Sequence, residues 1–214
     1  MLRRAFLPVL LCLAAPASAQ PDSATAPPAA PAPAPPAPAP ATVRVVLQTG
    51  EGAIIVALET ERAPVTAANF LRYVDQRRFD GITFYRAMTI SPADGLVQAG
   101  MHTDPRRMLL PIAHEPTAAT GLSHTDGAIA MARGEPGTAR SEFYIVVGDL
   151  TGLDARPGDP GYAVFGRVVE GMDVVRRILA APRSPTEGAA AGMQGQILAP
   201  PVRILTARRA PPAR

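Results

Sequence analysis

Two polar residues, Arg86 and Gln98, stand in otherwise apolar strand-like segments and are the first candidates for chemistry. In ITFYRAM (82–88), alternation predicts one shared strand face for Ile82, Phe84, Arg86 and Met88. In GLVQAG (95–100), Gln98 shares a face with Leu96. A guanidinium on an apolar face is costly unless it is paired, and a glutamine carbonyl can accept its hydrogen bonds. The pattern predicts either a shared site or a buried structural pair, and leaves both open.

The segments that carry these residues belong to a predicted mainly β domain spanning 42–208. Two strands are expected within 43–59 around a Gly-Glu-Gly turn, with further strands at 82–88, 95–100, 127–132, 143–147, 163–169 and 196–208. Helices are predicted at 63–76 and from about 172 to 179. Pro200-Pro201 predicts a break in the last strand. About eight short alternating strands are typical of a closed antiparallel barrel.

The first 41 residues and the last six are expected to lie outside this domain. Residues 1–19 have a basic start, a short apolar run and an Ala-Ser-Ala cleavage site, and so predict a secretory signal peptide. The run is too short to cross a bilayer, so no stable membrane insertion is expected. The Pro/Ala-rich stretch 20–41 predicts a disordered linker, with a docking site for a proline-binding module as the alternative. Residues 209–214 are expected to form a flexible tail.

Charge and cysteine content narrow the partners and the compartment. After removal of residues 1–19, 19 arginines face 18 acidic residues, a net charge of +1, and no basic block indicates a nucleic-acid partner. The single cysteine, Cys12, lies within the predicted signal peptide. A mature chain without cysteine suits an oxidising compartment. We therefore expect an exported, periplasmic monomer.

Five segments of the chain resemble, in order and approximate spacing, those of cyclophilin-type peptidyl-prolyl cis-trans isomerases. They are FYRAM, LVQAG, GAIAMARG, SEFYIVVGD and GYAVFGRVVEGMDVVRRI, and the match in order and spacing extends over roughly residues 44–206. The last segment is the most specific. The resemblance implies a closed eight-stranded antiparallel β-barrel capped by two α-helices, with a hydrophobic groove on its outside. It also implies isomerisation of X–Pro bonds in unfolded or extended exported proteins, assisting their folding.

The resemblance further implies roles for individual residues. Arg86 matches the catalytic arginine of the family, and Gln98 matches its glutamine partner. The implied substrate-binding residues are Phe84, Leu96, Met131, Ala132, Glu142, Tyr144, Leu153 and Tyr162. Glu142 stands where the family usually has glutamine, Tyr144 where it usually has phenylalanine, and Tyr162 where bacterial members often have tyrosine.

Two glycines depart from the family pattern. Gly95 aligns with a pocket phenylalanine and Gly152 with a bulky aromatic residue. A pocket without these rings would hold proline less well. The alternative function is therefore a catalytically weak cyclophilin-fold module that binds proline-containing segments as a chaperone.

The chemistry itself needs only a fixed donor and an apolar pocket. Amide resonance sets a rotation barrier of roughly 18–20 kcal/mol, and resonance is lost in the twisted transition state. The prolyl nitrogen then gains a lone pair, which an N–H donor stabilises over either planar form. Arginine suits this role because it keeps its proton at working pH. No nucleophile, metal or cofactor is required.

Two rival readings involve the histidines. His102, His114 and His124, with nearby carboxylates, are conceivable metal ligands, but their spacing matches no standard metal motif. Ser123-His124 with Asp126 suggests a hydrolase, but consecutive side chains rarely point at one another and no G-x-S-x-G motif is present.

Overall fold

The computed structural model describes residues 41–101 and 104–211. The predicted signal peptide, residues 1–19, lies outside the described residues, as does all of the predicted linker except Ala41. Within the described part of the chain, no helix is long and apolar enough to cross a membrane.

Eight antiparallel strands close into a barrel in the order β1-β2-β7-β5-β6-β4-β3-β8, which confirms the predicted fold class. The strands are β1 Thr42–Thr49, β2 Gly52–Glu59, β3 Thr83–Thr89, β4 Gly95–Gly100, β5 Ala128–Met131, β6 Phe143–Val147, β7 Ala163–Glu170 and β8 Ile197–Arg209. Closure pairs β8 with both β1 and β3 and so leaves no open sheet edge.

Two long helices, α1 (Pro64–Asp75) and α3 (Met172–Ala180), pack on the barrel as predicted. Pro64 occupies the first turn of α1, where its missing N–H has no partner to lose. The apolar side of α3 buries Val174, Val175 and Ile178. A third helix that the sequence did not predict, α2 (Thr117–Thr120), is a single turn within the long connection between β4 and β5.

The barrel interior is filled by aromatic rings. Phe70 of α1 contacts Phe79, Phe143 and Phe165, with ring centroids 4.9, 5.2 and 5.3 Å away. Phe84 of β3 reaches the same cluster and meets Phe143 edge-on at 6.1 Å. Phe84 is fully buried. These rings pack α1 against the strands that carry the groove described below.

A β-bulge in β3 decides which way Arg86 points. Phe84 pairs with Ala99 and Arg86 with Gln98, so Tyr85 is an extra residue without a partner position in β4. The expectation that Phe84 and Arg86 share a strand face is therefore wrong, since the bulge interrupts the alternation. Phe84 and Ala87 pack inside the barrel, whereas Arg86 lies outside it.

The bulge faces an irregularity in β8. Phe84 pairs with Val202 and Arg86 with Ile197, so residues 198–201 leave the ladder. This stretch holds Pro200 and Pro201, which have no N–H to donate. The predicted break is therefore an interruption of pairing within one continuous strand.

The last strand also extends one residue beyond its predicted end. Arg209 pairs with Val45, and its Nη2 lies 2.7 Å from Oδ2 of Asp75 in α1. The prediction that the flexible tail starts at residue 209 is wrong for this residue, because the ladder and the ion pair hold it.

Candidate active site

A second apolar cluster lies on the outer face of β4, β5 and β6 and forms the floor of a groove. These strands are buried on both faces. Their inward residues, such as Val97, Ile129 and Ile145, belong to the barrel core. Their outward residues Leu96, Ala128, Ala130, Tyr144 and Val146 form the second cluster together with Leu150, which follows β6, and Val164 of β7.

The groove above this floor has a volume of about 230 Å³. It is lined by Arg86, Met88, Leu96, Gln98, Ala132, Arg133, Tyr144, Leu153 and Tyr162. The walls combine apolar and aromatic surface with two guanidinium groups, which is a typical composition for a site that binds an apolar ring beside polar backbone.

Arg86 is held from three sides. Its Nη1 donates to Oε1 of Gln98 at 2.9 Å, and its Nε donates to Oε1 of Gln196 at 2.8 Å. Its Nη2 lies 3.3 Å from Sδ of Met88. A guanidinium has five N–H groups, so these contacts leave two for another acceptor in the groove. Gln98 is thus the partner of Arg86 that the sequence predicted, and Gln196 is a second one.

Tyr85 and Glu142 fix the orientation of the Gln98 amide. Nε2 of Gln98 donates to the Tyr85 hydroxyl at 2.7 Å and lies 3.3 Å from Oε2 of Glu142, which accepts from Tyr85 at 2.7 Å. Because a carboxylate only accepts, the NH2 end of Gln98 faces Glu142 and its carbonyl faces Arg86. Burial, followed by the negative charge of Glu142, raises the pKa of Tyr85, so the hydroxyl keeps its proton.

Of the eight predicted substrate-binding residues, five line the groove, one lies behind it and two do not reach it. Leu96, Ala132, Tyr144, Leu153 and Tyr162 line the groove beside Arg86 and Gln98. Glu142 lies behind Gln98 and lines a neighbouring cavity of about 270 Å³ together with Gln98, Ala132 and Arg133.

Phe84 and Met131 do not reach the groove, and the prediction that they bind substrate is wrong. Phe84 is inside the barrel because of the bulge at Tyr85. Met131 is also in the barrel core, since alternation along β5 sends its side chain inward while those of Ala130 and Ala132 face outward. Uninterrupted alternation would have placed Phe84 on the face of Arg86, whereas Met131 is only the sequence neighbour of the groove residue Ala132.

Three residues of the site were not predicted. Met88 and Arg133 line the groove, and Gln196 contacts Arg86 from the segment before β8. The Arg133 guanidinium lies 4.9 Å from the ring centroid of Tyr162, in a cation–π arrangement. Met88 was detectable, since it lies two residues from Arg86 on the same strand. Gln196 was not, because it is 110 residues away in sequence.

The two unusual glycines have different surroundings. A Cβ atom at Gly95 would lie 2.5 Å from the Met88 carbonyl oxygen and 3.1 Å from Leu179 of α3. Gly95 therefore does not mark an empty space in the groove. A Cβ atom at Gly152 meets no atom within 4 Å, so this position is open.

The hydrolase and metal readings gain no support from the geometry. Ser123 Oγ and His124 Nδ1 both bond to Asp154, on different oxygens, and His124 Nε2 bonds to Tyr144. His114 Nε2 bonds to the Pro160 carbonyl oxygen. Among residues 41–101 and 104–211, no three His, Cys, Asp or Glu side chains are grouped to hold a metal ion. His102 lies outside the described residues.

Comparison with known proteins identifies peptidyl-prolyl cis-trans isomerases as proteins similar to this chain. The family model of the cyclophilin-type peptidyl-prolyl cis-trans isomerases matches residues 44–208. A peptidyl-prolyl cis-trans isomerase of Acinetobacter baylyi is 35% identical over 167 residues, which are 78% of this chain and 85% of the relative. Peptidyl-prolyl cis-trans isomerase A of Dickeya dadantii is 37% identical over 140 residues, or 64% of this chain and 71% of the relative.

A solved structure shares the fold. The cyclophilin-type peptidyl-prolyl cis-trans isomerase of Cryptosporidium parvum superposes with a TM-score of 0.63 at 17% identity, covering 81% of this chain and 100% of that one. At this identity the likeness supports the barrel architecture alone.

Proposed function

This chain belongs to the cyclophilin-type peptidyl-prolyl cis-trans isomerase family, and from that premise we propose that Arg86 is the catalytic residue of the groove and Gln98 its positioning partner. The carrying observation is the guanidinium held at 2.9 Å by Gln98 and at 2.8 Å by Gln196 on the edge of an apolar groove. Two N–H groups of Arg86 then remain for substrate within the described structure.

The groove binds the proline ring, and the guanidinium donates to the prolyl nitrogen. Leu96, Ala132, Tyr144, Leu153 and Met88 supply the apolar surface against the ring. In the planar peptide, the nitrogen lone pair is delocalised and accepts poorly. In the twisted form the lone pair is localised, so the hydrogen bond from Arg86 strengthens as the barrier is approached. This difference in binding lowers the barrier.

Pre-orientation makes the donor effective. A guanidinium free to rotate would have to be ordered during each turnover, which costs side-chain entropy. Here Gln98 and Gln196 order it beforehand, and Tyr85 and Glu142 order Gln98 in turn. The charge-assisted bonds are among the stronger hydrogen bonds in proteins.

Substitution of Arg86 tests the assignment. We expect Arg86→Ala to lower kcat/KM on an Ala-Pro peptide by about 10²–10³-fold, which is the usual loss when one transition-state donor is removed. Arg86→Lys should also be impaired, because an ammonium cannot bind both glutamines through a planar fork. The control is Arg176→Ala on α3, an exposed arginine paired with Asp126. If folded Arg86→Ala retains the wild-type rate, the assignment is wrong.

We also propose that the protein acts outside the cytoplasm, in the periplasm, as a monomer on unfolded or extended clients. The support is the signal-like stretch 1–19, the Pro/Ala-rich segment 20–41 and a mature chain without cysteine. Intact mass of the protein from fractionated cells should correspond to a chain starting at Gln20. A cytoplasmic protein that still carries residues 1–19 would contradict the proposal.

The chaperone alternative is tested with the same peptide. It was suggested by Gly95 and Gly152, and Gly95 no longer supports it because its Cβ direction faces Leu179 rather than the groove. Exchange NMR on an Ala-Pro peptide separates the two functions: catalysis broadens the cis and trans signals at low enzyme concentration, whereas a binding module shifts them in proportion to occupancy.

A further inference from the structure

A buried chain of hydrogen bonds leads from Asp154 through His124 to Tyr144 in the groove. Asp154 Oδ1 lies 2.6 Å from Nδ1 of His124, and Nε2 of His124 lies 2.8 Å from the Tyr144 hydroxyl. His124 has no solvent exposure and Tyr144 is buried apart from the edge that reaches the groove. The two rings are stacked, with centroids 5.9 Å apart and an interplanar angle of 15°.

The partners of His124 define its protonation. The Asp154 carboxylate accepts from the backbone N–H of His124 at 3.1 Å and from the hydroxyl of Ser123, so it faces Nδ1 as an acceptor. Nδ1 therefore carries the hydrogen, and Nε2 accepts from Tyr144. Burial lowers the pKa of His124, and burial raises the pKa of Tyr144, so both groups are neutral near pH 7.

We propose that His124 is a positioning residue for the proline-binding site, which it serves by fixing the ring of Tyr144 through the hydroxyl. This inference rests on the proposed role of the groove. Tyr144 stands among the groove residues beside Gln98 and meets Tyr162 edge-on at 6.0 Å. A phenylalanine at this position would be oriented by packing alone, whereas the hydroxyl gives the tyrosine a second anchor at the far end of the ring.

The same carboxylate connects two walls of the groove. Asp154 directly follows Leu153, and Leu153 lines the groove together with Tyr144. The backbone N–H of Asp154 donates to Thr151, so the turn that carries Leu153 is itself fixed. Asp154 therefore sets the positions of Leu153 through the backbone and of Tyr144 through His124.

Protonation of His124 would reverse the hydrogen bond to Tyr144 without removing it, because a hydroxyl can both donate and accept. Nε2 would become a donor, and the Tyr144 hydroxyl would have to turn its own hydrogen away from His124. The titratable and charged groups that face the pair are Asp154 directly after the turn at 151–153, Tyr162 before β7, and Arg133 after β5. The ring of Tyr144 should therefore stay anchored when His124 takes up a proton.

The test compares KM and kcat for an Ala-Pro peptide in Tyr144→Phe, His124→Gln and the double variant. A pocket wall contacts proline in the ground and transition states alike, so we expect Tyr144→Phe to raise KM about three- to tenfold with kcat within twofold. The double variant should be no worse than the more impaired single variant, because both changes remove the same bond. The ratio of the KM of Tyr144→Phe to that of the wild type should be the same at neutral and at mildly acidic pH.

Two controls separate positioning from general stability. Arg176→Ala on α3 removes an exposed arginine that pairs with Asp126 rather than with a member of this hydrogen-bond chain, and it should leave KM unchanged. His114→Gln removes a half-buried histidine that bonds to the Pro160 carbonyl oxygen instead of to Tyr144, and it should leave KM unchanged. If His124→Gln does not fold, the KM and kcat of Tyr144→Phe carry the test.

An unchanged KM in folded Tyr144→Phe, additive effects in the double variant, or a loss confined to kcat would each overturn the inference. Failure of the proposed function is seen separately, as wild-type activity in Arg86→Ala. In that case the peptide affinity of Tyr144→Phe, measured by NMR titration, still decides on His124.

Discussion

Removal of the Gln196 side chain should slow the reaction although this residue lies outside the groove lining. Gln196 accepts from Nε of Arg86 at 2.8 Å, on the opposite side of the guanidinium from Gln98. In Gln196→Ala the fork keeps one amide anchor and gains freedom to rotate about it. We therefore expect a lower kcat with KM nearly unchanged, since the donor acts mainly in the transition state.

The expected loss in kcat/KM follows from how far each glutamine is buried. A hydrogen bond to a charged group contributes about 1.5–3 kcal/mol. Gln196 is half-buried, so water replaces part of the bond, and the lower value of about 1.5 kcal/mol corresponds to roughly a tenfold loss in kcat/KM. Gln98 is only 8% exposed, so Gln98→Ala should reach the upper value, roughly a 150-fold loss. The double variant should be less impaired than the product, because both residues act through Arg86.

The assay is protease-coupled or exchange NMR isomerisation of an Ala-Pro peptide, with Gln194→Ala as the matched control. Gln194 lies in the same segment, is exposed, and donates to the Pro185 carbonyl oxygen instead of contacting Arg86. If Gln196→Ala and Gln194→Ala have the same kcat/KM, pre-orientation of the guanidinium from this side does not contribute to catalysis.

Three further predictions concern stability and the groove. Gly95→Phe should lower the free energy of unfolding in urea by about 1–3 kcal/mol, because its Cβ would lie 2.5 Å from a carbonyl oxygen. Gly152→Trp should change the free energy of unfolding by less than about 0.5 kcal/mol and should lower KM, because no atom lies within 4 Å of its Cβ position. Phe84→Ala should reduce the free energy of unfolding by about 3–5 kcal/mol, since the ring is in the core; a stable variant with raised KM would contradict this placement. Burial lowers the pKa of His124 in the folded protein, so below about pH 6.5 the unfolded chain takes up the proton before the folded chain does. The free energy of unfolding should therefore fall on acidification by at most about 1.4 kcal/mol per pH unit. An equal slope in His124→Gln would show that His124 is not the group responsible.

Much of the fold was predictable from the sequence because its strands are short, alternating and separated by turns. The same pattern failed at residues 82–88, where one extra residue in the strand exchanges the inner and outer faces. Alternation assumes an unbroken ladder. The bulge depends on pairing with β4 and with the proline-interrupted part of β8, and neither pairing is visible within the segment itself.

The site was predictable where a polar residue interrupts an apolar strand. Arg86 and Gln98 were found in this way, and the structure joins them at 2.9 Å. Gln196 and Arg133 could not be found, because they lie in loops without periodicity, and Gln196 meets Arg86 only through the pairing of β8 with β3. His124 drew attention for its neighbours in sequence, whereas its partners are 20 and 30 residues away.

The closure of the barrel by β8 has a consequence for when activity arises during synthesis of the chain. β8 is the last strand of the barrel in chain order, and it supplies the neighbour of β3 as well as of β1. A nascent chain that has been synthesised only as far as β7 has unpaired edges on β1 and β3, and its Arg86 lacks the hydrogen bond to Gln196. The chain therefore cannot catalyse isomerisation of its own earlier prolines at full rate during synthesis. A truncated chain that ends between α3 and β8 should lose activity although it still contains the residues that line the groove.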